Sequence, residues 1–212
     1  GLEVSMIDRA EINRIAPYLG PAVIGAEYCA TEGKVDPLRA NSAIRRALIR
    51  KGGLVFNNTT VTQIDRSNNK FDVTTSRGVI RTGRLILAAG AGTRYLASSL
   101  GVDVPVIGEP LQMIVTEAVP PLINHLVQHG DQQITLKQVT TGHVIIGGGW
   151  PAKNQNTKKP PEVHYESLIG NISQAIRMVP KLTDTSLIRF WGGINPTLDG
   201  LAALGEINEI SG

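Results

Sequence analysis

Leu85-Ile86-Leu87-Ala88-Ala89-Gly90-Ala91-Gly92 decides how this chain is read. Its first five residues are apolar without alternation, which suits a strand covered on both faces, as in a parallel sheet. The run then breaks into Gly-x-Gly, where no side chain stands between the backbone and an approaching ligand. Taken alone the corner is a weak signal. Gly90, Gly92 and then Tyr95 do not complete G-x-G-x-x-G, and strand-to-helix turns also carry glycine for steric reasons. A short helix is expected from the corner to Leu100.

Upstream, 61–65, 71–75 and 79–82 read as a half-exposed antiparallel meander, turned at Ser67-Asn68-Asn69-Lys70 and Ser76-Arg77-Gly78. A further strand is expected at 54–57. Before these lies the clearest helix. Asp36 is a good N-cap, because its carboxylate accepts from orphan N–H groups, and Pro37 fits the first helical position. Ala40, Ala43, Ile44, Ala47 and Leu48 recur at helical spacing as one apolar stripe. Arg45, Arg46, Arg50 and Lys51 oppose the negative end of the helix dipole, and Gly52-Gly53 stop it. The opening, 5–18, reads as a short helix and turn capped by Ser5 or Asp8, followed by a strand through Val23, Ile24 and Ala26.

Downstream, 112–117, 134–139 and 143–146 read as strands, the last two forming a hairpin across Thr140-Thr141-Gly142. A polar surface loop at 151–161 precedes an amphipathic helix over about 162–178. Tyr165, Leu168, Ile169, Ile172, Ala175 and Ile176 mark its apolar face, and Pro180 ends it. A strand at 187–194, a turn at 195–200 and a strand at 201–204 complete the chain.

Composition narrows the function classes. The 212 residues suffice for one large or two small domains. With 42% apolar and 18% charged residues, the chain falls outside the disordered class. Its net charge of +3 is spread without a long basic block, and only 4% of residues are aromatic, which disfavours nucleic acid as a partner. Cys29 is the only cysteine, so it forms no internal disulfide; it reads as a small buried hydrophobe. His125 and His129 are four apart but lack a third ligand, so they read as a solvated pair. No apolar run reaches the roughly 18 residues of a membrane span. The start resembles no signal peptide and lacks Met, so a cytoplasmic protein and an internal piece of a longer chain are expected.

Four segments in order carry a resemblance: Gly33-Lys34-Val35-Asp36-Pro37, Asn57-Asn58-Thr59-Thr60-Val61, the apolar run ending Ala88-Ala89-Gly90, and Trp191-Gly192-Gly193 before Leu198-Asp199-Gly200. Together they resemble the D-amino-acid-oxidase-like superfamily of FAD-dependent flavoenzymes, specifically the branch that holds glycine oxidase and the sarcosine oxidase beta subunit. The likeness runs along nearly the whole chain.

The resemblance implies a mixed α/β fold. A partial FAD-binding domain is expected at 27–104. A substrate domain with a mostly antiparallel sheet flanked by helices is expected at 1–26 and 105–190, with 191–212 returning toward the flavin. It implies that Val61 reads the adenine through its backbone, and that Ala88, Ala89 and Gly90 pack on the adenosine and phosphate side. The plainer reading of Val61 is core. Gln112 is read as a pocket-floor or solvated residue, with Ile114 and Thr116 on the same face. Trp150 is read as a lid residue or a packing anchor, and Trp191 and Asn195 as lining the pocket above the flavin. Where the glycine oxidase pattern has a carboxylate-gripping arginine, this chain has Asn195, which cannot supply that charge. Arg189 shares the strand face of Trp191, and an ion pair is expected of it.

The implied chemistry is hydride transfer from the carbon of a C–N bond to FAD, with a small amine or amino acid as substrate and partner subunits in the full enzyme. A non-catalytic binding module of the same fold is the alternative. A nicotinamide-dependent dehydrogenase is disfavoured, because no complete dinucleotide fingerprint is present. Since the family's glycine-rich loop falls outside these residues, the chain by itself is expected to bind FAD weakly or not at all.

Overall fold

The computed structural model describes residues 2–153, 159–200, 202–207 and 210. The chain divides into two units: 1–43 with 110–193, and 44–109 with 194–212. All the strand pairings with a resolved register are antiparallel, and helices accompany them in a mixed α/β fold.

In the first unit, β1 (Ser5–Asp8) and β2 (Gly25–Tyr28) form a two-stranded ribbon, connected through α1 (Arg9–Ile15). Asp8 is the residue that caps α1, accepting from Glu11 N at 2.9 Å. Arg9 holds the following turn by donating to the carbonyls of Leu19, Gly20 and Val23 at 2.8–2.9 Å. The strand expected through Val23 and Ile24 begins later, at Gly25.

The main sheet runs β10-β6-β9-β8-β7, built from β6 (Ile107–Ala118), β7 (Val127–Gln128), β8 (Thr135–Gln138), β9 (His143–Gly147) and β10 (Leu187–Thr197). The hairpin at Thr140-Thr141-Gly142 joins β8 to β9 as the sequence implies, with Gly142 at φ +90°. Ile114 pairs with Ile146, and Ile146 with Leu136, so three buried aliphatic side chains stand in one row across the sheet. Each contributes roughly 2 kcal/mol of burial. This row joins Ile12 of α1 and Leu168, Ala175 and Met178 of α4 (Tyr165–Met178) in one core.

The buried face of α4 departs from the expected stripe. Leu168, Asn171, Ala175 and Met178 are buried, whereas Tyr165 is 70% and Ile169 47% exposed. Ile169 follows Leu168 by one residue and is therefore rotated about 100° away from it. The covered stripe includes a polar residue, Asn171, which an apolar count cannot register.

In the second unit, β3 (Val61–Ser67), β4 (Lys70–Thr75) and β5 (Gly78–Thr82) form the expected meander. Asn68 and Asn69 both take positive φ, 52° and 55°, as a two-residue hairpin turn requires. Ile64, Phe71 and Val73 are buried, and Val61, Leu85, Leu87, Leu96 and Leu100 pack against them.

α2 (Pro37–Arg50) starts where the sequence places it. Asp36 Oδ1 accepts from Leu38 N at 3.0 Å and Arg39 N at 3.2 Å. It ends at Gly52, φ +83°, with Gly53 N bonded to Leu48 O at 3.0 Å. No residue of α2 is buried, so its apolar stripe is uncovered here.

Three expected strands are not formed. Residues 54–57 and 85–89 pair with no strand among the described residues, and 202–204 are irregular, with Leu201 outside the described residues. Local propensity cannot make a strand without a neighbour to pair with. A 3-10 turn at Gly90–Gly92 leads into α3 (Thr93–Ser98).

Candidate cofactor and substrate site

Val61, Ala88, Ala89, Gly90 and Asn195 belong to the second unit; Gln112, Trp150 and Trp191 belong to the first. In the second unit the apolar run ends at a bare corner. Ala88, Ala89 and Gly90 are exposed, and Gly90 takes φ +56°, where a side chain is disfavoured. Thr93 Oγ1 accepts from Ala89 N at 3.2 Å and fixes the entry to α3.

Beside this corner lies the end of β10. A Cβ on Gly90 would stand 3.7 Å from Pro196 Cγ. A Cβ on Gly108 would come within 2.8 Å of Ile194 Cγ2 and 3.2 Å of Ala91 Cβ. Glycine at 108 thus lets β6 approach Ile194 and Ala91, whereas Pro196 lies at ordinary contact distance from Gly90, and Asn195 stands exposed next to Pro196. Neither approach to β10 is legible in the sequence, because Ile194 lies 86 residues from Gly108 and Pro196 lies 106 from Gly90.

Val61 opens β3 opposite Thr75, at a register shift between Val61 and Gln63. It is half-buried against the same small core as Leu85 and Leu87. The apolar run and Val61 are therefore neighbours of one cluster. Ala88, Ala89 and Gly90, at the end of that run, are small and exposed. They include no pyrophosphate loop, since the sequence has no G-x-G-x-x-G.

In the first unit, Gln112 shares a face with Ile114 and Thr116 as expected, and that face is the covered one. Gln112 is 0% exposed; its Oε1 accepts from His164 N at 2.8 Å, and its Nε2 is buried without a partner among the described residues. The solvated alternative is thereby corrected: the amide points under the start of α4. Leu111, Met113 and Val115 occupy the opposite, less covered face.

Trp150 packs as an anchor. A Cβ on Gly170 of α4 would lie 2.2–2.3 Å from its ring, so glycine makes the room that the indole fills. Trp191 is half-buried, and the Arg189 guanidinium lies 5.7 Å from its ring centroid. The expected ion pair of Arg189 is thus replaced by a cation–π contact.

The remaining candidates are absorbed by structure. His125 Nδ1 lies 2.8 Å from the Tyr18 hydroxyl, and His129 Nδ1 accepts from Asp131 N and Gln132 N. Cys29 is half-buried, not fully buried, with Sγ 3.3 Å from Thr31 Oγ1. A cavity of about 970 Å³ in the first unit is lined by α1, the β1–β2 ribbon and the end of α4, and by none of the proposed site residues. Among the described residues no helix is long and apolar enough to cross a membrane.

Comparison with known proteins fits this arrangement. A family model described as "FAD dependent oxidoreductase" matches residues 1–211. The chain belongs to that family.

An opine oxidase subunit of Agrobacterium tumefaciens (strain Ach5) is 27% identical over 200 residues, covering 94% of this chain and 51% of that protein. The beta subunit of sarcosine oxidase from Rhizobium meliloti (strain 1021) is 26% identical over 211 residues, covering 94% and 49%. Among solved structures, L-proline dehydrogenase from P. horikoshii superposes with a TM-score of 0.87 at 26% identity, over 99% of this chain and 57% of that one. The chain spans about half the length of the curated relatives it matches. Members of the FAD dependent oxidoreductase family use FAD as their redox cofactor, and the mixed α/β fold with antiparallel sheets is the fold of the L-proline dehydrogenase relative.

Proposed function

We propose that this chain forms part of an enzyme oxidising the C–N bond of a small amine or amino acid, such as sarcosine, glycine, proline or a D-amino acid. The observation that carries the reading is the approach of Pro196 to Gly90, which sets Asn195 beside the bare Ala88-Ala89-Gly90 corner within one unit. When bound, FAD supplies the hydride acceptor. Val61, Ala88, Ala89 and Gly90 would hold its adenosine side. Asn195, in the same unit, would offer the substrate an uncharged hydrogen-bonding amide.

Asn195 bears on substrate choice. A carboxylate gripped by guanidinium gains two charge-assisted hydrogen bonds, and an amide gives weaker, neutral ones. The relatives named opine oxidase, sarcosine oxidase and L-proline dehydrogenase motivate secondary or N-substituted amino acids over glycine. Two of these relatives are named as subunits, which supports a heteromeric assembly for the full-length protein.

The test uses the full-length protein. A yellow preparation whose flavin absorbance bleaches anaerobically with an N-methyl or cyclic amino acid supports the enzyme. A colourless protein that takes up no added FAD leaves the second reading, a binding module of the same fold, which the uncharged Asn195 favours.

A further inference from the structure

His129 closes the loop between β7 and β8 from the inside. Its Nδ1 accepts from Asp131 N at 3.1 Å and from Gln132 N at 2.9 Å. Both donors are backbone N–H groups, which cannot turn round and accept. In this arrangement Nδ1 therefore carries its lone pair, and the ring proton sits on Nε2. His125 is different. Its partner is the Tyr18 hydroxyl, which can donate or accept, so that contact survives either state of the ring.

Little regular structure holds this loop otherwise. β7 is two residues long, stands at the end of the sheet order, and pairs with β8 through Val127–Leu136 and Gln128–Thr135. His129 N donates to Ile134 O at 3.1 Å, and Ile134 N to Gln132 O at 2.7 Å. A short terminal strand of this kind opens locally at low cost. Val127, Gln128, His129 and Gly130 also form one wall of the cavity of about 970 Å³ in the first unit.

We propose that His129 is an acid-sensitive latch on the β7–β8 loop and on the cavity wall that it forms. A proton on Nδ1 turns the acceptor into a donor that faces two other donors. Both bonds then break, the turn at 129–132 loosens, and β7 is free to leave β8. The latch is closed while the imidazole is neutral. It is released as pH falls through the range of about 8 to 5 in which histidine gains its charge. Asp131 in the same loop, and Glu27 and Glu32 from the facing walls of the cavity, attract the imidazolium. Lys34, Arg177 and a protonated His125 repel it, and Tyr18, Tyr28 and Cys29 complete the titratable lining. All of these groups lie in the first unit, so the latch is independent of the flavoenzyme reading.

Amide hydrogen exchange in the full-length protein tests the latch. Peptides spanning 127–135 are read at about pH 8 and about pH 5, with rates corrected for the intrinsic effect of pH. The Asp131 and Gln132 amides are expected to lose roughly tenfold in protection at the lower pH, as befits two released hydrogen bonds. Unchanged protection overturns the proposal. His129→Asn keeps an acceptor that does not titrate, because asparagine bonds the N–H two residues on in an Asx turn. Its loop is expected to stay closed at both pH values. Acid opening equal to that of the unsubstituted protein makes another group the sensor and overturns the proposal. If His129→Asn does not fold, the nitrogen NMR shifts of the His129 ring in the unsubstituted protein decide. An unprotonated Nδ1 at about pH 8 supports the latch, and a proton on Nδ1 there overturns it.

Discussion

Gly108 and Ile194 meet where β6 passes the end of β10, and a Cβ on Gly108 would stand only 2.8 Å from Ile194 Cγ2. The colliding methyl sits on a branched carbon with little freedom to turn away, and Ala91 Cβ closes the other side at 3.2 Å. Gly108→Ala is therefore expected to destabilise by about 1–3 kcal/mol, the usual cost of overpacking. The urea midpoint of the full-length protein measures it, and an unchanged midpoint would show that the strands separate freely.

Gly170→Ala sets two effects against each other. Alanine in a helix interior gains about 1 kcal/mol over glycine. The new methyl would lie 2.2 Å from the Trp150 ring, and overpacking of that kind costs about 1–3 kcal/mol. Net destabilisation is expected, with a shift in tryptophan fluorescence as Trp150 leaves α4. A more stable variant with unaltered fluorescence would contradict the packing described.

Asp36→Ala removes the acceptor for Leu38 N and Arg39 N. About 1 kcal/mol should be lost, and Asp36→Asn should lose much less, because asparagine caps nearly as well. Thermal unfolding of the two variants side by side makes the comparison.

Tyr18 ties stability to alkaline pH. Burial pushes its phenol up to about 12 from the ordinary 10, with the His125 contact opposing in part. Folded protein thus keeps a proton that the unfolded chain gives up. The contribution is complete below about pH 10 and is lost as pH rises toward 12, by at most about 3 kcal/mol. Tyr18→Phe should be less stable at neutral pH through loss of the His125 bond. It should also lose less stability than the unsubstituted protein between pH 10 and 12. Parallel denaturation curves across that range would refute the burial of the phenol.

Gly90→Val tests the cofactor corner. A β-branched residue at φ +56° is strained by roughly 1–2 kcal/mol, and its bulk stands where the adenosine side is proposed to lie. The flavin-to-protein ratio of the purified full-length variant should fall about tenfold, since 1.4 kcal/mol is a factor of ten. Gly90→Asn tolerates that φ, so a loss confined to the valine variant identifies strain, and a loss in both identifies bulk.

Much of this chain was written locally. The Asp36-Pro37 helix start, the Gly52-Gly53 stop, the Asn68-Asn69 turn and the Thr140-Thr141-Gly142 hairpin are interactions between residues a few positions apart, and sequence determined each of them. The alternation of β6 likewise set Gln112, Ile114 and Thr116 on one face, and four ordered segments identified the family.

Only tertiary structure decided which faces are covered. The same alternation could not say that the Gln112 face lies under α4, nor that Asn171 is buried while Ile169 is not. Nor could the apolar run announce that it pairs with no strand among the described residues, or that Gly108 must make way for Ile194. Caps and turns depend on neighbours in sequence, whereas burial, pairing and close approach depend on what the rest of the chain brings across space.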